Sequence, residues 1–76
     1  MKTVKIYSAD YCMPCKMLKK SLTQKNIPYE NYNSEDFSWV TALPTIQLVE
    51  NDEVVETING SSAKTVSKIE EFLNVN

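Results

Sequence analysis

Two cysteines in the stretch SADYCMPCKMLKK, residues 8–20, have the clearest chemical potential in this 76-residue chain. Cys12 and Cys15 are separated by two residues, and the sequence has no other cysteine and no histidine. Such a pair could form a structural disulfide, supply half of a metal site, fill a core as two inert side chains, or act as a reversible redox couple. The surrounding residues decide between these roles.

Elementary arguments disfavour the first three roles. A disulfide between Cys12 and Cys15 closes so short a loop that it barely restricts the unfolded chain. Zinc and iron–sulfur sites normally take about four ligands, so a metal here would have to be shared between two chains. Cys12 also follows Asp10 and Tyr11 at a predicted strand-to-helix junction, which is not a core position. The sequence therefore favours a redox couple.

The composition indicates one small domain, residues 1–76, with 42% hydrophobic and 24% charged residues. The net charge is −2 and every positive charge is a lysine, which argues against a nucleic-acid partner. No apolar run approaches the ~20 residues that cross a bilayer, and the N-terminus does not resemble a signal peptide. We expect a cytoplasmic monomer with no bound metal or cofactor and no membrane partner, in which a disulfide would be transient.

The elements that would position the cysteines follow from local patterns. TVKIYS, residues 3–8, is β-branched and aromatic and predicts a first strand. Pro14 suits the first turn of a helix that begins near Met13. The apolar face of this helix is formed by Cys15, Leu18 and Leu22. Its lysines are expected to point toward water: Lys16, Lys19 and Lys20.

The middle of the chain predicts three further strands. YENYN, residues 29–33, predicts the second strand, and SEDFSWVT predicts a shortened second helix capped by Ser34. TIQLVE and EVVETI predict the third and fourth strands. The turn between them contains Asn51 and Asp52, which both tolerate the left-handed conformation and therefore favour a tight hairpin.

The last predicted element is a helix that follows a break at Gly60 and is capped by Ser61 or Ser62. Its apolar face is formed by Val66, Ile69 and Leu73, with Phe72 beside them. The element order predicts an α/β domain with a mixed four-stranded sheet flanked by helices. The first two strands should be parallel and joined by a right-handed crossover, and the last two should be antiparallel.

A helix that begins near Met13 would give the two cysteines different properties. The Cys12 sulfur would lie at the helix N-terminus, where unpaired N–H groups and the helix dipole lower a thiol pKa from its free value of ~8.5. Cys15, about one turn further along, would be buried. We therefore expect Cys12 to be the exposed nucleophile that attacks a disulfide and Cys15 to be the resolving cysteine.

Together these motifs resemble the thioredoxin superfamily, specifically its small thioredoxin- and glutaredoxin-like redoxins. YCMPCK after the first strand is similar to the superfamily's active-site hexapeptide, LPT resembles the opening of its third strand, and Asn59-Gly60 resembles the glycine after its last strand. The front half is also similar to NrdH-type redoxins, which supply electrons to ribonucleotide reductase. The resemblance covers nearly the whole chain and implies a thioredoxin fold and a thiol–disulfide oxidoreductase.

The resemblance also implies roles for particular residues and partners. Pro44 would be cis and face the cysteines, and the Leu43 backbone would pair with a bound peptide. The implied substrate-binding rim comprises Tyr11, Met13, Leu43, Pro44 and Gly60. The Cys12–Cys15 disulfide would exchange electrons with protein disulfides, ribonucleotide reductase among them, and be recharged by thioredoxin reductase or glutathione. Two alternatives are a glutathione-dependent glutaredoxin and a binding module whose redox pair is incidental.

The sequence departs from the superfamily pattern in several places. The segment from Cys15 to Pro44 is short, so Phe37, Trp39 and Val40 are expected to cover a sheet face that a longer helix would otherwise protect. The first strand, VKIYSA, lacks the buried acid of thioredoxins. A single glycine followed by SSAK gives weak support for a glutathione site.

Each of two charged residues beside the motif could be either a simple solvent-exposed side chain or a functional group. Lys16 is the cation that directly follows the motif and could contact glutathione, but a solvated helix lysine explains it equally well. Asp10 is interpreted as a solvated loop carboxylate, whose negative charge would slightly oppose thiolate formation.

Overall fold

The computed structural model describes residues 1–74, so the last two residues of the predicted domain 1–76 lie outside the described residues. Four strands, two helices and one turn of 3-10 helix follow one another along the chain. In order they are β1 (Lys2–Ser8), α1 (Met13–Gln24), β2 (Glu30–Asn33), the 3-10 turn (Ser34–Asp36), β3 (Thr45–Glu50), β4 (Glu53–Asn59) and α2 (Ala63–Asn74).

The strands form one mixed sheet in the order β2-β1-β3-β4. β1 and β2 are parallel, with Tyr7 opposite Tyr32, and α1 is the crossover between them. β3 is antiparallel to both β1 and β4. This architecture confirms the predicted mixed sheet, including the parallel first pair and the antiparallel last pair.

Both helices pack on one face of the sheet and bury a single main core. Alternate residues of β1 and β3 point to this face, and the predicted apolar faces of α1 and α2 meet them there. The core residues are all at most 2% exposed: Val4, Ile6, Leu18, Leu22, Ile46, Leu48 and Ile69. Within residues 1–74, no helix is long and apolar enough to cross a membrane.

The opposite sheet face is covered by aromatic side chains instead of a helix. Tyr7 and Tyr32 stack at 5.3 Å between ring centroids, and Phe37 and Trp39 contact Tyr7 edge-on at 5.0 and 4.7 Å. The prediction that this segment covers the face is right for Phe37, which is half-buried. It is only partly right for Trp39, which remains 47% exposed.

The predicted second helix is wrong in extent and in its cap. Only Ser34–Asp36 is helical, as a single 3-10 turn, and the capping side chain is that of Asn33, which accepts the Glu35 N–H at 3.0 Å. A full helix does not form because residues 34–44 must also return the chain to β3 and place aromatic rings on the sheet. These long-range demands override the local helix signal.

Two tyrosines of the aromatic cover are held by hydrogen bonds. Tyr7 donates to Gln47 Oε1 at 2.9 Å, and burial raises its pKa above the ordinary value of 10.0. Tyr32 donates to Glu30 Oε1 at 2.6 Å, and this bond raises the Tyr32 pKa. Because folding raises both pKa values, their contribution to stability is fully present below about pH 10 and is lost as the pH rises further.

The β3–β4 hairpin turns as predicted at Asn51 and Asp52, whose φ angles are 53° and 68°. The Asn51 side chain accepts a hydrogen bond from the Met1 ammonium at 2.7 Å. Within residues 1–74, no hydrogen bond or ion pair involves the Asp52 side chain.

Glycine adopts positive φ without steric cost. We therefore expect Asp52→Gly to raise the free energy of unfolding by about 0.5 kcal/mol in urea denaturation. Asp36→Gly, where φ is not positive, is the control and should lower it.

Candidate active site

The N-terminus of α1 is built around Cys12, which is the N-cap residue. Its backbone is extended, with φ −91° and ψ 102°, and its Sγ accepts the Cys15 N–H at 3.2 Å. Pro14 occupies the first turn, where a missing N–H costs nothing. The predicted helix start at Met13 is confirmed. The Cys12 sulfur therefore lies where helix N–H groups and the dipole favour negative charge.

Cys12 and Cys15 form a disulfide, and their Cα atoms are 5.3 Å apart. Cys15 is fully buried, as predicted, but Cys12 is only 7% exposed. The prediction of an exposed Cys12 outside any core is therefore wrong for this disulfide state. The reason is that both cysteines pack with Ala9 in a small cluster of their own, which Leu43 partly covers. Cys12 remains the more exposed of the two cysteines.

The loop opposite the disulfide contains Pro44, and its cis peptide bond to Leu43 confirms the geometry that the resemblance implied. Thr45 is buried and donates its hydroxyl to Ala42 O at 2.6 Å, which closes the loop. The Gly60 N–H donates to Pro44 O at 2.8 Å. Gly60 has a φ of +88°, a backbone conformation that residues other than glycine rarely adopt. Pro44 and Gly60 are thus held together next to Leu43, whose side chain packs on the cysteine cluster.

The backbone of Leu43 is available for pairing. Within residues 1–74, no hydrogen bond occupies its N–H or its carbonyl. The Leu43 side chain packs against the cysteine cluster, so the free backbone groups lie next to the disulfide. An extended peptide could pair with them in the manner of an added strand.

Apolar side chains on the α1 side of the disulfide are strongly exposed. Tyr11 and Met13, both predicted rim residues, are 76% and 62% exposed. Met17, which sequence reasoning missed, is 65% exposed one turn beyond Met13. Its position four residues after Met13 was the available signal. Met17 also lines a groove of about 440 Å³ between α1 and the start of α2, together with Pro14 and Ser62.

Lys19 contradicts the prediction that it points toward water. Its Nζ donates to Ser8 Oγ at 3.2 Å and lies 3.4 Å from Asn31 Oδ1. Ser8 is 3% exposed and donates in turn to Asn31 at 2.7 Å. A buried serine at the end of an apolar strand requires polar partners, and the long lysine side chain reaches one from α1. Lys16 and Asp10 are exposed, as expected.

The glutaredoxin family model matches residues 4–58, which include both cysteines, the cis peptide and most of the sheet. The chain belongs to the glutaredoxin family. A comparison with curated protein sequences finds no significant match. Membership in this family supports a thiol–disulfide oxidoreductase, and the Cys12–Cys15 disulfide of this glutaredoxin-family chain is the group that such chemistry requires.

Solved structures similar to this glutaredoxin-family chain are thioredoxins. Thioredoxin f2 of Chlamydomonas reinhardtii matches 99% of this chain and 82% of its own, with 18% identity and a TM-score of 0.79. Mitochondrial thioredoxin 3 of Saccharomyces cerevisiae matches 92% and 77%, with 24% identity and a TM-score of 0.74. Schistosoma mansoni thioredoxin matches 93% and 78%, with 27% identity and a TM-score of 0.72. The chain therefore has the thioredoxin fold.

Proposed function

We propose that this protein reduces disulfide bonds in other proteins, using Cys12 as the nucleophile and Cys15 as the resolving cysteine. The observation that carries the proposal is the Cys12–Cys15 disulfide at the N-terminus of α1, beside the cis Leu43–Pro44 bond. Cys12, the more exposed of the two cysteines, sits where a thiolate is stabilised, and the sulfur of the fully buried Cys15 is within bonding distance of it. This arrangement matches the needs of thiol–disulfide exchange.

The reaction consists of two exchanges. The Cys12 thiolate of the reduced protein attacks a substrate disulfide, which forms a mixed disulfide and releases one substrate thiolate. The Cys15 thiolate then attacks Cys12 Sγ, so the Cys12–Cys15 bond forms and the Cys12–substrate bond breaks. The substrate gains two electrons and takes up protons from water. The product is the disulfide form that the structure contains.

The surface around the disulfide favours a polypeptide substrate. Tyr11 and Met13 offer exposed apolar area on one side, and the free Leu43 backbone offers hydrogen bonds on the other. Pro44 and Gly60 hold that second side in place. Apolar contact combined with strand-like pairing is a common way to bind an extended chain with little dependence on its sequence. We propose that these five residues form the substrate rim.

We propose a thioredoxin-reductase-type flavoenzyme as the electron source and ribonucleotide reductase as a client. The support is the apolar rim, the thioredoxin-like proline of the CMPC motif, and the single glycine before SSAK in place of a glutathione-type sequence. Glutathione is the second candidate reductant. The match to the glutaredoxin family favours it, and Lys16 is exposed next to Cys15, where a cation could contact the tripeptide.

Insulin reduction distinguishes the two electron sources. NADPH oxidation is followed at neutral pH, with thioredoxin reductase in one reaction and with glutathione plus glutathione reductase in another. We expect turnover with thioredoxin reductase and none above background with glutathione. Turnover with glutathione alone would instead favour the second candidate, and Lys16→Met should then weaken it.

Cys12→Ser is the control for both reactions, because it removes the nucleophile and keeps the fold. Wild-type protein that is folded but inactive with both reductants, including reductases from several sources, would contradict general disulfide reduction. A binding module would then be the better description, and Cys12→Ser would leave its partner binding unchanged.

A further inference from the structure

The sheet holds the ammonium group of Lys19 at the end of β1, where Ser8 is its partner. Lys19 lies one helical turn after Cys15 on α1. Its Nζ donates to Ser8 Oγ at 3.2 Å, and Asn31 Oδ1 is 3.4 Å away. Ser8 is 3% exposed whereas Asn31 is exposed, so the half-buried Lys19 lies at the boundary between the interior and solvent. Charges at such a position are screened less than charges at the surface.

The hydrogen-bond partner of this ammonium is adjacent in the chain to a residue that packs on the cysteines. Ser8 is bonded to Ala9, and the Ala9 side chain packs against Cys12 and Cys15. Residues four apart on a helix have Cβ atoms about 5–6 Å apart, and helical side chains lean toward the N-terminus. Lys19 therefore leans from its own turn toward the turn that contains Cys15.

We propose that Lys19 is a positioning residue that stabilises the Cys15 thiolate during the second exchange. The inference rests on the proposed function. Cys15 is fully buried, and burial disfavours the thiolate form of a thiol. The neighbouring strand β1 has Ile6 and no carboxylate to accept its proton, so the proton leaves to water. A fixed positive charge lowers the cost of that ionisation. Lys19 takes no part in the bond changes, which are those of the second exchange.

The other charged groups around Cys15 are exposed to solvent. Asp10 precedes Cys12, Lys16 follows Cys15 on α1, and Lys64 is at the start of α2; all three are exposed. The Leu43–Pro44 loop has no titratable side chain, and the phenol of Tyr7 belongs to the opposite sheet face. Of Asp10, Lys16, Lys19 and Lys64, Lys19 is the one whose charged group has hydrogen-bond partners in the sheet among the described residues.

Reaction with the aromatic disulfide 5,5′-dithiobis(2-nitrobenzoate) separates the two exchanges. Cys12 releases the first coloured thiolate when it attacks, and Cys15 releases the second when it resolves the mixed disulfide. The experiment uses rapid mixing at pH 7 with equimolar reagent. Lys19→Met should slow the second phase about tenfold, as a rise of about one unit in the Cys15 pKa would. The rate of the first phase should change by less than about twofold. The second-phase defect should shrink at high pH, where Cys15 ionises unaided.

Two variants distinguish charge from structure. Lys19→Arg keeps the charge and should restore the second phase, and Lys20→Met removes an exposed charge from the next residue and should change neither phase. Three results would overturn the role of Lys19 and leave the proposed function intact. They are an unchanged second phase in Lys19→Met, a second phase slowed as much in Lys19→Arg as in Lys19→Met, and a defect of the same size at every pH. Absence of both phases in folded, reduced wild-type protein would overturn the proposed function together with this inference. Far-ultraviolet circular dichroism verifies that each variant is folded.

Discussion

Cys15→Ser is expected to convert the protein from a reductase into a covalent trap. Serine can replace Cys15 in α1 because it is similar in size. Its hydroxyl is not ionised near neutral pH and cannot attack Cys12 Sγ. The first exchange still occurs, since Cys12 keeps its position at the helix N-terminus. Insulin reduction supported by thioredoxin reductase should fall to about a thousandth of the wild-type rate or less. Non-reducing electrophoresis should show the protein linked to its substrate.

Cys12→Ser is the matched variant, and it should lose both turnover and the covalent complex. The pair of variants tests the division of roles between the two sulfurs, because a purely structural disulfide would make both behave alike. A Cys15→Ser protein that keeps wild-type turnover with thioredoxin reductase would contradict the role of Cys15. If it keeps turnover only with glutathione, a glutathione thiolate is resolving the mixed disulfide, which favours the second candidate function.

Leu22→Ala is expected to have the largest effect on stability. Leu22 is fully buried on α1, within the main core that joins both helices to the sheet. Truncating such a leucine removes apolar contacts and leaves a cavity, which costs about 2–5 kcal/mol. A 76-residue domain has a total stability of roughly 4–11 kcal/mol, so this loss is a large fraction. Urea unfolding followed by circular dichroism measures it.

Met17→Ala is the matched control, because Met17 lies on the same helix but is 65% exposed. Its effect on the free energy of unfolding should stay within about 0.5 kcal/mol. Both proteins should be compared in the disulfide form, so that the Cys12–Cys15 bond is a constant. A loss below about 1 kcal/mol for Leu22→Ala would contradict the close packing of α1 against the sheet.

The sequence predicted those elements whose signals are local. Alternation and β-branched residues identified the strands, Pro14 marked the start of α1, and Asn51 with Asp52 marked the hairpin turn. These features depend on residues adjacent in the chain. The exception is the segment after β2, where a cap and two acidic residues predicted a helix and only Ser34–Asp36 forms one turn. There the aromatic contacts to Tyr7, far away in sequence, decide the conformation.

The sequence predicted the reactive groups of the candidate site and the family to which the chain belongs. The C-x-x-C spacing, the strand before it and the helix after it identify a redox pair by themselves, since they place one sulfur at a helix N-terminus. The cis bond before Pro44 followed only from the resemblance, because residue patterns alone favour a trans bond.

By itself, the sequence determined the element order, the redox pair and the apolar faces of both helices, because each depends on spacing along the chain. Only the tertiary structure decided how accessible Cys12 is, since Leu43 reaches it from a distant loop. The same is true of Lys19, whose ammonium meets Ser8 and Asn31 because α1 lies across two strands. A lysine on a helix can point toward water or toward the sheet, and the choice depends on polar atoms that folding brings beneath it.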